Sequence, residues 1–498
     1  MSHLLPPPAP VGAVRHARVR PWWLALGGLV ALALALAAGL AAFRYLPALD
    51  DARGMRAGLE AAYGAARSAG ADIDAASIDS IGDDLASARE RLDRLSRLLA
   101  NDPLIAFARA LPVTSDTVRE ADALVSAGSD VMTAAEDGLA IARRYLALRE
   151  GRGADAAQSS LLEEAGGLLV DSRAGVADAV RSVTDAGRIL ASAPHGSIAA
   201  IARLRDDLSA RIADFQPLLD DAAAATERLP AILGFDGERR YLILTQDPAE
   251  MRATGGFVGS FGIVGFDHGR IVERTFTDTS LDYPFDYPWI TPPRALRDYL
   301  LGPDQPWQFS DANWSPDFPT SARNALRLYA NETGDGRFDG VVAITTDTID
   351  ELLTVTGPVS VPEFGASVAP GETVVKSLQL TRAARTPGES RKAFLSAFAD
   401  RMISTLLALP PDRWSRLVDL ADVLRAEHLL QAWFRDPAAE ALAEQTGLDG
   451  GIRQDGGDYV YPVDSNVAPV SKLNAVTARS LQLDVQVDEV GNAHDTLT

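Results

Sequence analysis

The stretch Met251-Arg-Ala-Thr-Gly-Gly-Phe-Val-Gly-Ser260 concentrates residue types able to hold an anion. Arg252 supplies a planar cationic fork that matches paired oxygens. Thr254 adds a hydroxyl, and the amides near Gly255 and Gly256 can converge into a concave nest. Asp247 precedes the stretch and Asp278 follows it, each a carboxylate suited to positioning. The candidate ligand-binding set is therefore Arg252, Thr254, Gly255, Gly256, Asp247 and Asp278. The competing reading is structural: a glycine-rich bend that lets two strands or a neighbouring backbone approach closely. A nucleotide P-loop is excluded, because no Lys-Ser/Thr ends the segment and Phe261-Gly-Ile-Val-Gly-Phe266 continues as a strand.

Two acidic-aromatic segments follow. Asp282-Tyr-Pro and Asp286-Tyr-Pro repeat four residues apart and lead into Trp289. Proline at both positions makes this an extended loop. Its rings and carboxylates fit a sugar face, and Asp278, Asp282 and Asp286 fit Mg²⁺ through oxygen ligands; the alternative is aromatic packing on the domain surface. Trp307, Asp311, Asn313, Trp314 and Asp317 carry the same pair of readings. The six histidines lack metal-ligand spacing and there are no cysteines, so no His or Cys metal site is predicted. His268 falls in a turn and reads as solvated. Ser260 has no helix after it, which disfavours a nucleophile elbow.

These residues need strands and helices to position them. Tyr241 to Thr245, Phe257 to Phe266 and Arg270 to Phe276 read as three strands, the last two joined by the Asp267-His268-Gly269 turn. Helices are expected around Pro293 to Leu301 and Pro319 to Ala330, with proline near the first turn. Phe338 to Thr345 reads as a strand, Thr348 to Val355 as a helix stopped by Gly357-Pro358, and Val359 to Val361 as a strand. Glu389 to Gln445 carries two or three amphipathic helices through Phe394, Phe398, Met402, Leu406, Leu417, Leu424 and Trp433. Strands return at Asp458 to Val463 and Ser480 to Val487, with a further hairpin beginning at Glu489 and cut short at Thr498. Interleaved strands and helices make residues 230–446 an α/β or α+β domain with a mixed sheet and flanking helices. Residues 447–498 start a C-terminal β region.

Upstream, residues 50–229 are rich in Ala, Leu, Arg and Asp and poor in aromatics, a helical composition. Leu85, Ala88, Leu92, Leu95 and Leu99 form one apolar stripe; Ile201, Leu204, Leu208, Phe215 and Leu219 form another. Breaks are expected at Asp102-Pro103, Leu111-Pro112, Gly151-Arg152-Gly153 and Pro194-His195-Gly196. The result is an antiparallel bundle of about four long helices.

Residues 21–43 contain no charged side chain and are long enough to span a bilayer. Trp22, Trp23 and Tyr45 sit where amphipathic rings prefer the interfaces, and Arg15, Arg18 and Arg20 lie before the span. The positive-inside rule makes residues 1–20 a cytoplasmic tail and everything beyond the anchor extracytoplasmic. The alternative, a cleaved signal peptide, predicts a shorter apolar region. The net charge of -21 argues against nucleic acid as a partner, and a chain without cysteine relies on packed cores rather than disulfides.

The run Gln246-Asp-Pro-Ala-Glu-Met-Arg-Ala-Thr-Gly-Gly-Phe-Val-Gly-Ser-Phe-Gly262 resembles the signature of a bacterial membrane-protein family known as domain of unknown function 4012. Phe338-Asp-Gly-Val-Val-Ala343, Leu352-Leu-Thr-Val-Thr-Gly-Pro-Val359 and Asp458-Tyr-Val-Tyr-Pro-Val-Asp-Ser-Asn466 resemble its later blocks, so the likeness spans about Gly234 to Asn474. After Asn466 the family's glycine-rich approach to a lysine is replaced by Val-Ala-Pro-Val-Ser before Lys472. The family name carries no activity. The order of strand, Asp247, Arg252, returning strands and Phe-Asp-Gly strand also resembles the LytR-CpsA-Psr phosphotransferases. Those single-pass proteins move a glycopolymer from a polyprenyl pyrophosphate carrier to the cell wall, using Arg, Asp and a divalent metal. That resemblance implies Mg²⁺ as cofactor and a pyrophosphate held near Arg252. Thr275-Phe-Thr-Asp-Thr-Ser280 stands where those enzymes carry Ser-Ile-Pro-Arg-Asp.

Three functional expectations result. The first is a plasma-membrane-anchored envelope protein whose outer domain binds an anionic or glycan ligand, such as a lipid-linked glycan or a cell-wall polymer. The second is the phosphotransferase. The third is a sensor or scaffold acting through its bundle with a membrane-protein partner, because the short cytoplasmic tail holds no output domain. The bundle would also set the Arg252 site far from the bilayer.

Overall fold

Apolar residues three and four apart, with proline and glycine only at intervals, dictate long helices that bury one face. The computed structural model describes residues 74–155, 161–279, 287–376, 389–410, 413–453 and 480–498, with scattered positions between 47 and 61, at 379 and between 462 and 478. The first half is a bundle: α1 (Ala75–Asn101), α2 (Pro103–Ala110), α3 (Ser115–Asp155), α4 (Leu161–Ser192) and α5 (Ala199–Ile232). Described positions between 47 and 61 are also helical and pair with α1 through Asp51 and Arg94 at 2.8 Å.

The predicted stripe on α1 is buried at Leu85, Ala88 and Leu92 and extends back to Ile81 and Ile78. On α5 the inward residues are Leu208, Ile212 and Leu219, whereas Phe215 is exposed. Asp102 ends α1 and caps α2 by accepting from the Leu104 and Ile105 amides, so Pro103 sits where a missing N–H is harmless. The break expected at residues 151–153 does not occur: α3 runs through both glycines to Asp155. A helical glycine costs only about 1 kcal/mol, which the packing of a 41-residue helix absorbs.

At Arg239 the period changes from 3.6 to 2 and a mixed sheet begins. Its strands are β1 (Arg239–Asp247), β2 (Phe257–Asp267), β3 (Arg270–Asp278), β4 (Gly340–Thr345) and a strand at Leu430–Phe434, in the order β3-β2-β1-β4 and then Leu430–Phe434. β1 lies at the centre, antiparallel to β2 and parallel to β4. A parallel neighbour requires a crossover, supplied here by residues 287–339, including α6 (Phe318–Thr333). On one face α6 and the segment Phe309–Trp314 pack on Leu242, Leu244, Val258 and Phe261. β4 leads into α7 (Thr346–Thr356), which Thr345 and Thr348 start with a reciprocal capping box. α7, the small hairpin β5–β6 (Val359–Val361, Ala366–Val368) and α8 (Glu389–Leu407) share a second core around Leu353 and Phe398.

Two further expectations change. Residues 293–301 form only a three-residue helix followed by a π turn, because the segment is too short to nucleate more. Trp433, read as part of a helical stripe, lies on an edge strand (Leu430–Phe434, hereafter β7) between α9 (Trp414–Ala426) and α10 (Pro437–Thr446). The alternation Leu-Gln-Ala-Trp-Phe is too brief for its period to be read unaided. Around the turn at residues 489–492, β8 (Leu483–Val487) pairs with β9 (Ala493–Leu497). The strand expected at Asp458 to Val463 lies almost wholly outside the described residues, as does the predicted anchor at 21–43. Among the described residues no helix is long and apolar enough to cross a membrane.

Removing Leu92, 2 % exposed, leaves a cavity in the bundle. Leu92→Ala is expected to lower stability by about 2–5 kcal/mol. Leu218→Ala, at a position 57 % exposed, should stay within about 0.5 kcal/mol. Urea denaturation followed by circular dichroism compares them.

Candidate functional site

The glycine-rich loop joins β1 to β2 at the sheet's centre, and two constraints set its shape. Gly255 and Gly256 adopt φ of +127° and +140°, a region closed to most residues with a Cβ. A Cβ on Gly256 would strike the Asp247 carbonyl, and one on Gly255 would press on the Thr345 methyl at 3.2 Å. Opposite the loop, Thr245 pairs with Ser260 while Gln246 pairs with Val258, so Gly259 is an extra residue. The bulge lies on β2 and leaves the alternation of β1 intact, so Gln246 follows Leu242 and Leu244 onto the core face, where it is 1 % exposed.

A buried amide must find partners. The Gln246 Oε1 accepts from the Thr254 hydroxyl at 2.7 Å and from Asn313 Nδ2 at 2.8 Å. Asn313, fully buried, also reaches Thr254 Oγ1 at 3.0 Å and donates to the Gly256 carbonyl at 2.7 Å. Gln431 on β7 donates to the Thr254 carbonyl at 2.9 Å. Three side-chain amides from three separate parts of the chain thus grip one loop. The loop's own amides turn inward as well: Gly255 N–H donates to Arg252 O at 3.2 Å and Phe257 N–H to Glu250 O at 2.8 Å.

Arg252 is 7 % exposed. Its guanidinium donates to Asp311 Oδ1 through Nε at 3.4 Å and Nη2 at 3.3 Å, and through Nη1 to the carbonyls of Met251 and Asn466 at 3.0 and 3.1 Å. The Phe257 ring lies 5.3 Å away, a cation–π distance. Burial pushes the Asp311 carboxyl above the ordinary carboxylate range, and the Arg252 charge and hydrogen bonds draw it partly back. Asp247 is paired too. Lys472 bridges its carboxylate and that of Glu250, the latter at 3.0 Å, while Asp247 Oδ1 accepts from the Ala249 amide at 2.9 Å.

The six expected site residues therefore divide. Thr254, Gly255 and Gly256 form one turn with Arg252 beside it, and Asp247 stands at the loop's other foot. Asp278 ends β3 opposite Ser260, with β2 between it and β1. Charge and amides in the loop are directed at protein groups. Four participants carried no assigned role from sequence: Gln246, Gln431, Lys472 and Asp311 as an ion-pair partner. Gln246 left a trace, an amide closing the apolar run Tyr-Leu-Ile-Leu-Thr; Gln431 left none, since its strand read as helix. In the second acidic-aromatic segment Trp307 donates to the Asp311 carbonyl at 2.9 Å, and Asp317 caps α6. Residues 280–286, with the first Asp-Tyr-Pro pair, lie outside the described residues. Among the described residues no cluster of three His, Cys, Asp or Glu side chains could hold a metal ion.

A separate concavity of about 640 Å³ opens beside the edge strand β3, lined by Arg270, Ile271, Val272 and Arg274 together with Glu163, Asp400 and Leu407. Arg270 pairs with Glu163 of α4 at 2.6 Å and Arg274 with Asp400 of α8 at 2.7 Å. Ion pairs flanking apolar side chains make an amphipathic groove where bundle and sheet meet.

Residues 236–381 match the family described as protein of unknown function (DUF4012). The matched stretch runs from the start of β1 to beyond β6 and includes the whole glycine-rich loop. It ends before the blocks at 458–466, so it is shorter than the span expected from residue 234 to residue 474. No curated protein matches the chain. Among solved structures, the X-ray structure of Lin1025 protein from Listeria innocua is similar over 52 % of this chain and 90 % of its own, at 8 % identity and a TM-score of 0.24. A likeness at that level carries no argument about fold or activity.

Breaking one partner of a buried pair leaves the other charged and unsolvated. Arg252→Ala is expected to cost about 3–5 kcal/mol, and Arg252→Met with Asp311→Leu to recover most of it; thermal melting of the three proteins decides. At Lys472, burial alone would depress the ammonium, but the Asp247 hydrogen bond and charge and then Glu250 outweigh it, holding the group above the usual lysine value. A raised cationic pKa contributes stability that is complete below the unfolded value near 10.4 and lost as pH rises through the folded one. The Tm difference between wild type and Lys472→Gln should therefore be full at pH 8 and close as pH rises through the raised lysine value.

Proposed function

We propose that the chain is a membrane-anchored cell-envelope protein, N-terminus cytoplasmic, whose outer α/β domain binds a glycan or anionic polymer and does not transfer phosphoryl groups. The state of Arg252 carries this reading. A pyrophosphate site needs a cation facing the ligand, and here the cation is buried against Asp311 and two carbonyls. Distance argues the same way. α5 has 34 residues between its far end and the sheet, about 50 Å at 1.5 Å per residue, which holds the loop well away from a lipid-linked donor.

The groove beside β3 is the better candidate for the ligand. A sugar chain offers hydroxyls to charged pairs and apolar ring faces to aliphatic side chains. Arg270 and Arg274 supply the first and Val272 and Leu407 the second. Arg270, Val272 and Arg274 lie along one edge strand, with a β-bulge at Val272 between the two arginines.

The full chain is expected to sediment with insoluble cell-wall material. Arg270→Glu with Arg274→Glu should weaken retention roughly tenfold or more, because charge-assisted hydrogen bonds contribute about 1.5–3 kcal/mol each. In parallel, wild type and Arg252→Ala should both fail to bind a polyprenyl pyrophosphate analogue with Mg²⁺. Tight binding by wild type that Arg252→Ala abolishes would restore the transferase reading.

A further inference from the structure

The bundle ends in an apolar tip opposite the α/β domain. α2 contains no buried residue, yet Leu104 and Phe107 are 56 % and 64 % exposed, and Leu111 and Val113 after it are 40 % and 85 % exposed. Asp102 caps this short helix and Arg109 ties it to Asp122 of α3 at 2.8 Å. The helix is thus held in place without burying its own apolar side chains. The α4–α5 connection lies at the same end: Gly196 N–H donates to Glu120 and Ser197 N–H to Thr117, both at 2.9 Å. That places Ile198, 49 % exposed, beside the start of α3.

Two further observations say what this tip faces. The first is direction. Gly54 lies against Arg91 and Gly58 against Asp84 and Ala88, while Asp51 reaches Arg94. With decreasing residue number the chain therefore climbs down α1 toward Asn101 and α2. Pro47, helical and described, follows the predicted anchor by a few residues, so the anchor's sequence enters the bundle from the tip. The sheet sits at the other end, where Arg270 meets Glu163 and Phe235 meets Gly166. The second is charge. In a chain with 68 acidic and 47 basic residues, segments 103–115 and 186–205 contain no Asp or Glu, and carry Arg109, Arg188, Arg203 and Arg205. Arg109, Arg188 and Arg205 are paired with Asp122, Asp185 and Glu120, so the tip is an apolar surface whose charges are balanced, which suits a bilayer interface.

We propose that this tip is a lipid-contact surface: Leu104, Phe107, Leu111 and Val113 sink into the bilayer interface beside the anchor, so that the bundle stands on the membrane at a second point. The contact rests on the anchored reading above and goes beyond it. An anchor alone leaves the bundle free to tilt about one tether. A second contact sets the bundle's long axis relative to the membrane and fixes the height of the β3 groove.

The absence of cysteine permits a direct test. Full-length Phe107→Cys carrying an NBD fluorophore is reconstituted into phosphatidylcholine–phosphatidylglycerol vesicles beside Val170→Cys, an exposed apolar position near the sheet. The label at 107 should shift to the blue and lose intensity when lipids carry a nitroxide near the headgroup, since interfacial helices sit about 5–10 Å deep; the label at 170 should do neither. Vesicle flotation reads the anchor independently. Protein that floats with an unquenched 107 label overturns the tip contact alone, and protein that fails to float overturns the anchor with it. A blue shift that ignores the nitroxide lipid but grows with protein-to-lipid ratio assigns the tip to a second copy of the chain and also overturns the proposal.

Discussion

The α/β domain depends on a buried ion pair and the amides around it. Arg252 and Asp311 are each almost removed from water, and desolvating two charges typically offsets what their attraction contributes. Their value lies in specifying an arrangement. Arg252 meets Asp311 from the crossover and Asn466 from the C-terminal segment, and the adjoining loop is gripped by Gln246, Asn313 and Gln431. These partners come from β1, the Phe309–Trp314 segment, β7 and residue 466, so the loop is the point at which distant parts of the chain register against one another.

That role explains the loop's composition. Two adjacent glycines are required where the backbone passes the Asp247 carbonyl and the Thr345 methyl, and a threonine is required where a hydroxyl must donate to one amide and receive from another. The same ingredients would build an anion nest. What separates the two uses is direction: here the Gly255 amide, the Thr254 hydroxyl and the guanidinium all point at protein atoms.

Much of the architecture was legible from periodicity. The α1 stripe, the three strands from Tyr241 to Phe276, the Phe338 to Thr345 strand and the helix after it appear where the pattern places them, because a 3.6- or 2-residue period persists long enough to outweigh local exceptions. The misreadings fall where that condition fails. β7 is five residues between two helices; the glycines at 151 and 153 lie inside a helix long enough to carry them; and residues 293–301 start with prolines but have too few residues to propagate a helix. The candidate site was located but its chemistry was not. Arg252 and Asp311 are 59 positions apart, and nothing local to either names the other.

Sequence alone therefore determined the helical first half, the mixed sheet of the second, the place of the glycine-rich loop between β1 and β2, and the acidic, cysteine-free character of the chain. These follow from composition and short-range periodicity, which act over a few turns or strands. Tertiary structure alone decided that the loop's cation faces a buried carboxylate, that Lys472 returns to Asp247, and that a polar groove opens beside β3 where the bundle meets the sheet. The physical reason is common to all three. The direction in which a charge or an amide points depends on which distant group the fold carries to within hydrogen-bonding reach, and residue type records the capacity to bond without recording the partner.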